Sequence, residues 1–247
     1  MAEAAVKCPH CQSEAGVKYG KTSTGTERFR CQQSAACGRT FVRTYVYPGC
    51  LPTVKQQIVD MTRKGRGSRE IARVLHVGPK TGMRAVKNAA GLSQVNTRVV
   101  AGGCPEALTV EGRRGEAAEV DERWSVVGSK AHQRGLWHAL EHLRGGVLAY
   151  TFGSRADTVC VELPKRLKPC GREHCYTDGA GVYERPLPAA AHPSGKANSQ
   201  QIERKPLTLR TRIKRLARKP ICFSKSVVMH DTVIGLCVNR YEFGTPI

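Results

Sequence analysis

Between Glu119 and Val127 the chain alternates apolar and polar positions. Val120, Trp124 and Val126 fall on one face of a strand, which turns Asp121 to the other. Leu136–Leu140 and Gly146–Phe152 read as two further strands, joined by a turn at Arg144-Gly145-Gly146. Asp157–Leu167 is a helix candidate weakened by Pro164, and Cys175-Tyr176-Thr177 is a short strand that stops at Asp178. Ile202, Leu209, Ile213 and Leu216 then recur at helical spacing.

Nearer the N-terminus, Gly16–Arg30 reads as a hairpin turning at Gly20 and Gly25, with short alternating runs at Thr26–Arg30 and Thr40–Tyr47. Val54, Ile58 and Met61 mark a helix that ends at Gly65 and Gly67. Ser68 caps a second helix, Arg69–Leu75, with Ile71, Ala72 and Leu75 inward. After His76-Val77-Gly78, Pro79 opens a third helix, Lys80–Ala89, with Met83 and Val86 inward. Gly82 inside it costs about 1 kcal/mol relative to alanine.

These elements predict an α+β multidomain chain. Residues 1–48 form a zinc ribbon, 50–92 a helix-turn-helix, 93–115 a linker rich in small residues, and 116–247 a ribonuclease-H-like α/β mixed-sheet domain. The last expectation rests on element order: three antiparallel strands, a helix, then a strand. In that fold the centre of the first strand and the end of the fourth lie side by side, so Asp121 and Asp178 would meet.

Charge narrows the partner. Lys+Arg number 40 against 20 Asp+Glu, a formal net charge of +20, and the cations cluster. Such a surface attracts polyanions, so DNA or RNA is the expected partner, and the helix-turn-helix favours double-stranded DNA. Lys80, Thr81, Arg84 and Lys87 would face DNA from the third helix, which in a helix-turn-helix enters the major groove. No apolar run reaches eighteen residues and no apolar leader core opens the chain, so no membrane span is expected. The expected setting is cytoplasmic.

In a reducing compartment the 11 cysteines read as metal ligands or free thiols. Cys8-Pro9-His10-Cys11 places two thiolates on one metal, and Cys31 with Cys37 completes a tetrahedral Zn2+ site. His10, inside the tight turn, is the alternative ligand. Cys50 and Cys104 lie outside the pattern. Cys170, His174 and Cys175 could suggest a second metal, but a buried strand with an exposed histidine explains them as well.

Glu203 opens a helix-like segment that also carries Arg204, Lys205, Arg210, Arg212, Lys214, Arg215, Arg218 and Lys219. Eight cations beside one acid suit a surface that tracks phosphate. Packed on the sheet, this helix would bring Glu203 to Asp121 and Asp178. Three crowded carboxylates repel one another, and divalent ions, Mg2+ or Mn2+, relieve that repulsion. Two such ions clamp the attacking and leaving oxygens of an in-line phosphoryl displacement.

EVDERWSVVGSK, GVLAYTFGSR, YTDG, QQIER, LRTRIKRLARK, ICFSKS and MHDTVIGL resemble the transposase of the insertion-sequence-one family. CPHC, RFRCQQSAAC and SREIARVL resemble that family's zinc-ribbon and helix-turn-helix portion. The resemblance implies a fused, full-length transposase with an Asp-Asp-Glu triad at Asp121, Asp178 and Glu203. It implies cleavage at terminal inverted repeats, followed by strand transfer into target DNA. Because transposases hold two DNA ends, the resemblance also implies a homo-oligomer, and it implies a bacterial, nucleoid-associated setting. The competing readings are a non-catalytic DNA-binding regulator worked by residues 1–92, a decayed inactive copy, and a structure-selective nuclease of the same fold.

This chain departs from the family at Gly135 and Ala180, where the resemblance leads one to expect tryptophan. Pro164 falls within an expected helix. Pro206 follows Glu203 by three positions and predicts a kink or a late helix start. His230-Asp231 resembles an acid/base pair but reads as a helix cap or surface feature, and Ser224 and Lys225 are family markers without a derivable role.

Overall fold

The computed structural model describes residues 6–33, 37–89, 91–98, 117–141, 145–154, 157–167, 174–176, 200–217 and 224–244, with backbone only at 117, 157–161, 174–175 and 200–204. The chain forms two compact units. One is Met1–Met61 with Ser68–Val86, and the other is Thr62–Gly67 with Lys87–Ile247.

In the first unit, β1 (Gly16–Lys21), β2 (Glu27–Cys31) and β3 (Thr40–Val42) make an antiparallel sheet in that order. The expected hairpin is present. Gly25 sits at φ +82, where glycine meets no Cβ penalty, and its N–H donates to the Thr22 carbonyl at 3.0 Å. Phe29 and Phe41 pair across β2–β3 and stack with centroids 5.9 Å apart. Among the described residues, they form the ribbon's buried core cluster with Cys8 and Cys31, and Val6 and Tyr45 pack against it. So few apolar side chains leave a small domain marginal without a further staple.

Three helices follow: α1 (Pro52–Arg63), α2 (Ser68–Val74) and α3 (Pro79–Asn88). Ile58, Val59, Ile71, Ala72, Val77 and Val86 are buried. Met83, expected inward, is exposed. Gly82 and Val86, four residues apart, share the inward face and leave Met83 round the helix.

The second unit is built on a four-stranded sheet in the order β6-β5-β4-β7, with β4 (Ala117–Val127), β5 (Ser129–Glu141), β6 (Val147–Gly153) and β7 (His174–Tyr176). β4–β5 and β5–β6 are antiparallel, whereas β7 runs parallel to β4. β5 begins at Ser129 rather than near the expected Leu136, because its exposed polar start still pairs with β4.

Val120, Trp137, Ala139 and Leu148 bury one face of the sheet with Leu163 and Leu167 of α4 (Asp157–Leu167). Leu136, Leu140, Val147 and Tyr150 bury the other. That face meets α5 (Gln200–Arg212), a 3-10 turn at Lys214–Leu216, and α6 (Val227–Tyr241).

The helix carrying Glu203 does not start late. It is formed from Gln200 and continues past Pro206. The period expected to run to Leu216 breaks at Ile213, which is extended (φ −102, ψ 93); the 3-10 turn then returns Leu216 to the core. Within the stretch read as a linker, part of the segment is fastened to β6. The Asn96 N–H donates to the Leu148 carbonyl at 2.8 Å, and the Tyr150 N–H to the Gln94 carbonyl at 3.0 Å.

Candidate functional site

Asp121 lies in the middle of β4. Its cross-strand partner is His138, while Arg123 pairs with Leu136 and Glu119 with Leu140. Directly opposed residues share a face, so Glu119, Asp121 and Arg123 lie on the face that α5 and α6 cover. Val120 and Trp124 belong to the opposite core, as the alternation predicted. Asp121 Oδ1 accepts the Glu122 N–H at 2.7 Å, and Oδ2 stands 3.7 Å from Arg123 Nη2. The Asp121 side chain is only 12% exposed, and the Glu122 N–H orients one of its oxygens.

His138 is buried, and neither ring nitrogen has a hydrogen-bond partner among the described residues. Burial and then Arg123 push its pKa down to about 3; the Leu136 backbone opposes this and Lys205 adds to it.

α5 packs against β4 and contains Glu203 in its first turn. The Glu203 side chain and Asp178 lie outside the described residues. β7 ends at Tyr176, which pairs with Glu119 of β4. Of the expected cations, Arg212 and Lys214 are exposed and Arg210 and Arg215 are half-buried, while the Arg204 side chain is outside the described set. Lys205 does not face solvent: its Nζ donates to Glu242 Oε2 at 2.5 Å.

In the first unit, the Sγ atoms of Cys8, Cys11, Cys31 and Cys37 all lie within 4.8 Å of one another. Cys8–Cys37 and Cys11–Cys31 are 3.7 and 3.5 Å apart. Four sulfurs bound to tetrahedral zinc at their usual distance lie about 3.8 Å apart, so the thiols fit that ion. Hydrogen bonding with the side chain and then the backbone of Ser13 holds Cys11 down to about 6. Cys37 sits at about 11: the Arg39 backbone lowers it, but burial, Cys8 and Cys11 raise it further. A cation resolves that mutual opposition by stabilising all four thiolates. His10 stands outside the cluster.

On α3, Lys80, Arg84 and Lys87 are exposed and fall on one helical face by their spacing. Thr81 is half-buried and differently employed. Its Oγ1 accepts from the Tyr47 hydroxyl at 3.1 Å, and the same hydroxyl accepts the Gly78 N–H at 2.6 Å.

Sequence reasoning missed several residues. His230 is neither cap nor surface: it is buried in the first turn of α6 and bonded to two serines. Asp231 is paired with Arg134 through two bonds, at 3.2 and 2.6 Å. His138 carried the same signal that found Asp121, a titratable residue inside an apolar strand.

Residues 116–244 match the family model described as IS1 transposase, residues 45–90 the InsA C-terminal domain, and residues 1–35 the InsA N-terminal domain. The chain belongs to the IS1 transposase family. The insertion element iso-IS1n protein InsB of Shigella dysenteriae is 53% identical over 125 residues, covering 51% of this chain and 95% of the relative. The insertion element IS1 protein InsB of Shigella sonnei is 43% identical over 122 residues, covering 49% and 93%. A simian T-cell lymphotropic virus intasome in complex with PP2A regulatory subunit B56 gamma aligns at TM-score 0.34 and 11% identity, over 74% of this chain and 64% of that chain. That likeness is too low to bear on the fold.

Proposed function

We propose that this transposase binds the terminal inverted repeats of its element and performs metal-dependent strand cleavage and strand transfer, with Asp121, Asp178 and Glu203 as the catalytic acids. One observation carries the reading. β4 and β7 are parallel with Glu119 opposite Tyr176, and Asp121 and Asp178 each follow their member of that pair by two residues. The packing of α5, which contains Glu203, against β4 adds to it. The strand order β6-β5-β4-β7, with only the last pair parallel, supports the ribonuclease-H-like reading.

An all-oxygen donor set suits Mg2+ or Mn2+. Such ions, when bound, supply Lewis acidity to the scissile phosphate and acidify the attacking hydroxyl. The protein's own part is placement. The Glu122 N–H fixes one Asp121 oxygen, and Arg212 and Lys214 offer exposed charge to the DNA backbone. The basic face of α3 selects the repeat, and the zinc-stapled ribbon supports it. The domain boundaries proposed are those read from sequence, and the working form is a homo-oligomer on DNA.

The test is incubation of the purified protein with Mg2+ or Mn2+ and duplexes ending in the repeats that flank its gene. Cleavage at the repeat ends, lost in Asp121→Asn, is expected. Repeat binding without cutting under either metal would leave a regulator instead.

A further inference from the structure

Ser224, a family marker, and His230 remain without a role in the carboxylate chemistry. Both are buried, at 4% and 1% exposure. They stand where three elements converge. Ser125 of β4 lies 2.8 Å from His230 Nε2, Ser224 Oγ lies 2.9 Å from His230 Nδ1, and Arg215 of the 3-10 turn donates from Nη1 to Ser224 Oγ at 2.5 Å.

The proton directions follow from the chemistry of the groups. A guanidinium only donates, so Ser224 Oγ accepts from Arg215 and directs its own proton to Nδ1. Ser125 Oγ donates to the Arg134 carbonyl at 3.1 Å, so it accepts from Nε2–H. Every donor is used once only if His230 is neutral and protonated at Nε2. An imidazolium would confront Ser224 with a second donor and strand the serine proton.

The charged neighbours act in the same sense. Burial, then Arg215 and Arg134, hold the His230 pKa down to about 4. The nearby carboxylate of Asp231 is taken by Arg134.

We propose that Ser224 and His230 are positioning residues of the cleavage site, clamping β4 through Ser125 to the cationic turn through Arg215. Asp121 sits on β4 four residues before Ser125 and on the same face, so the clamp fixes the acid's strand relative to the phosphate-facing turn. The inference rests on the assignment of Asp121 to the cleavage site.

The experiment uses the zinc-loaded full chain with 15N-imidazole-labelled histidine. Long-range 1H–15N spectra should show one buried imidazole that stays neutral and Nε2-protonated from pH 7.5 to 5.5. Ser224→Ala should abolish that fixed tautomer, and Ser224→Thr, which keeps the hydroxyl, should restore it. In parallel, Ser224→Ala and His230→Gln should slow repeat-end cleavage by roughly tenfold to a hundredfold, a size typical of small misplacements remote from the chemistry. Repeat affinity should stay within about twofold of the parent, because the basic face of α3 is untouched. An Nδ1-protonated or charged imidazole at neutral pH would overturn the proposal. So would undiminished cleavage in a folded Ser224→Ala protein. If the tautomer is as described but Asp121→Asn still cuts, it is the cleavage-site assignment that fails, and the clamp is then structural only.

Discussion

Asp121 and His138 face one another across the β4–β5 ladder, an acid and a buried imidazole on the sheet face that α5 covers. The acid has its N–H donor and its arginine nearby, whereas the imidazole has no partner among the described residues. Asp121→Asn keeps the shape and the Glu122 contact but removes the charge that would hold a divalent ion. Cleavage of repeat-ended duplex should fall at least roughly a thousandfold, the several kcal/mol that metal catalysis supplies. Repeat binding by mobility shift and the circular-dichroism spectrum should not change. Residual cutting near the parent rate would remove Asp121 from the site.

How much of this was legible in the sequence depends on periodicity. β4 was legible because Val120 and Trp124 alternate with Asp121. The ribbon was legible because Cys8-Pro9-His10-Cys11 has ligand spacing. α6 carries no such signal, because Val233, Ile234, Leu236, Cys237 and Val238 are buried on nearly every side, which leaves no stripe for a 3.6-residue period to mark. The start of β5 was hidden because Ser129–Gln133 are exposed and, apart from Ala131, polar. The partners of His230 come from positions 125 and 224, and no local pattern announces such pairings.

Gly135 illustrates a departure that the structure explains locally. It pairs with Trp124 across β4–β5. A Cβ there would lie 3.0 Å from the Gly153 carbonyl oxygen, 3.0 Å from Trp137 Nε1 and 3.1 Å from the Trp124 ring. Trp124 and Trp137, edge to face at 6.2 Å, fill that space. Gly135→Ala should therefore destabilise the second unit by about 1–3 kcal/mol through overpacking. The check is urea unfolding followed by tryptophan fluorescence. Unchanged stability would mean that the backbone at Gly153 yields freely.

Zinc removal should act on the first unit alone. The ribbon buries few apolar side chains besides its cysteines, so binding energy at the thiols is folding energy. Chelation, or Cys11→Ser, should unfold the ribbon and abolish repeat binding while the mixed sheet retains its melting transition. Metal analysis of the parent should give about one zinc per chain, as a single tetrathiolate site requires. Full repeat binding after complete chelation would contradict the staple.

Acid should weaken the second unit in a defined window. The His230 pKa is depressed from 6.5 to about 4, chiefly by burial and then by Arg215 and Arg134. Above pH 6.5 neither the folded nor the unfolded chain protonates this ring, and its contribution is fully present. As pH falls below 6.5, the unfolded chain takes up a proton that the folded protein refuses until about pH 4. Stability is therefore lost across that interval, by up to about 3 kcal/mol. Urea midpoints of the parent should fall from pH 7 to pH 4 more steeply than those of His230→Gln. Parallel slopes would place the acid sensitivity elsewhere.

The pair Lys205–Glu242 tests how the helix carrying Glu203 is held despite Pro206. Glu242 Oε2 accepts from Lys205 Nζ at 2.5 Å and lies 3.5 Å from the Val147 N–H at the start of β6. Their side chains are only 16% and 6% exposed. Lys205 is two residues beyond Glu203, so this ion pair is a tether close to the proposed catalytic acid. Removing one member leaves the other charge poorly solvated. Glu242→Gln should therefore cost about 3 kcal/mol. Replacing both, as Lys205→Met with Glu242→Leu, should cost clearly less than the two single changes together, because no charge is stranded. Stability alone would make this a packing result. If the tether also sets Glu203, Glu242→Gln should slow cleavage at temperatures where the protein remains fully folded, with repeat affinity unchanged. A double variant that regains stability but not cleavage would separate the two roles. One that regains both would show that apolar packing alone suffices to place α5.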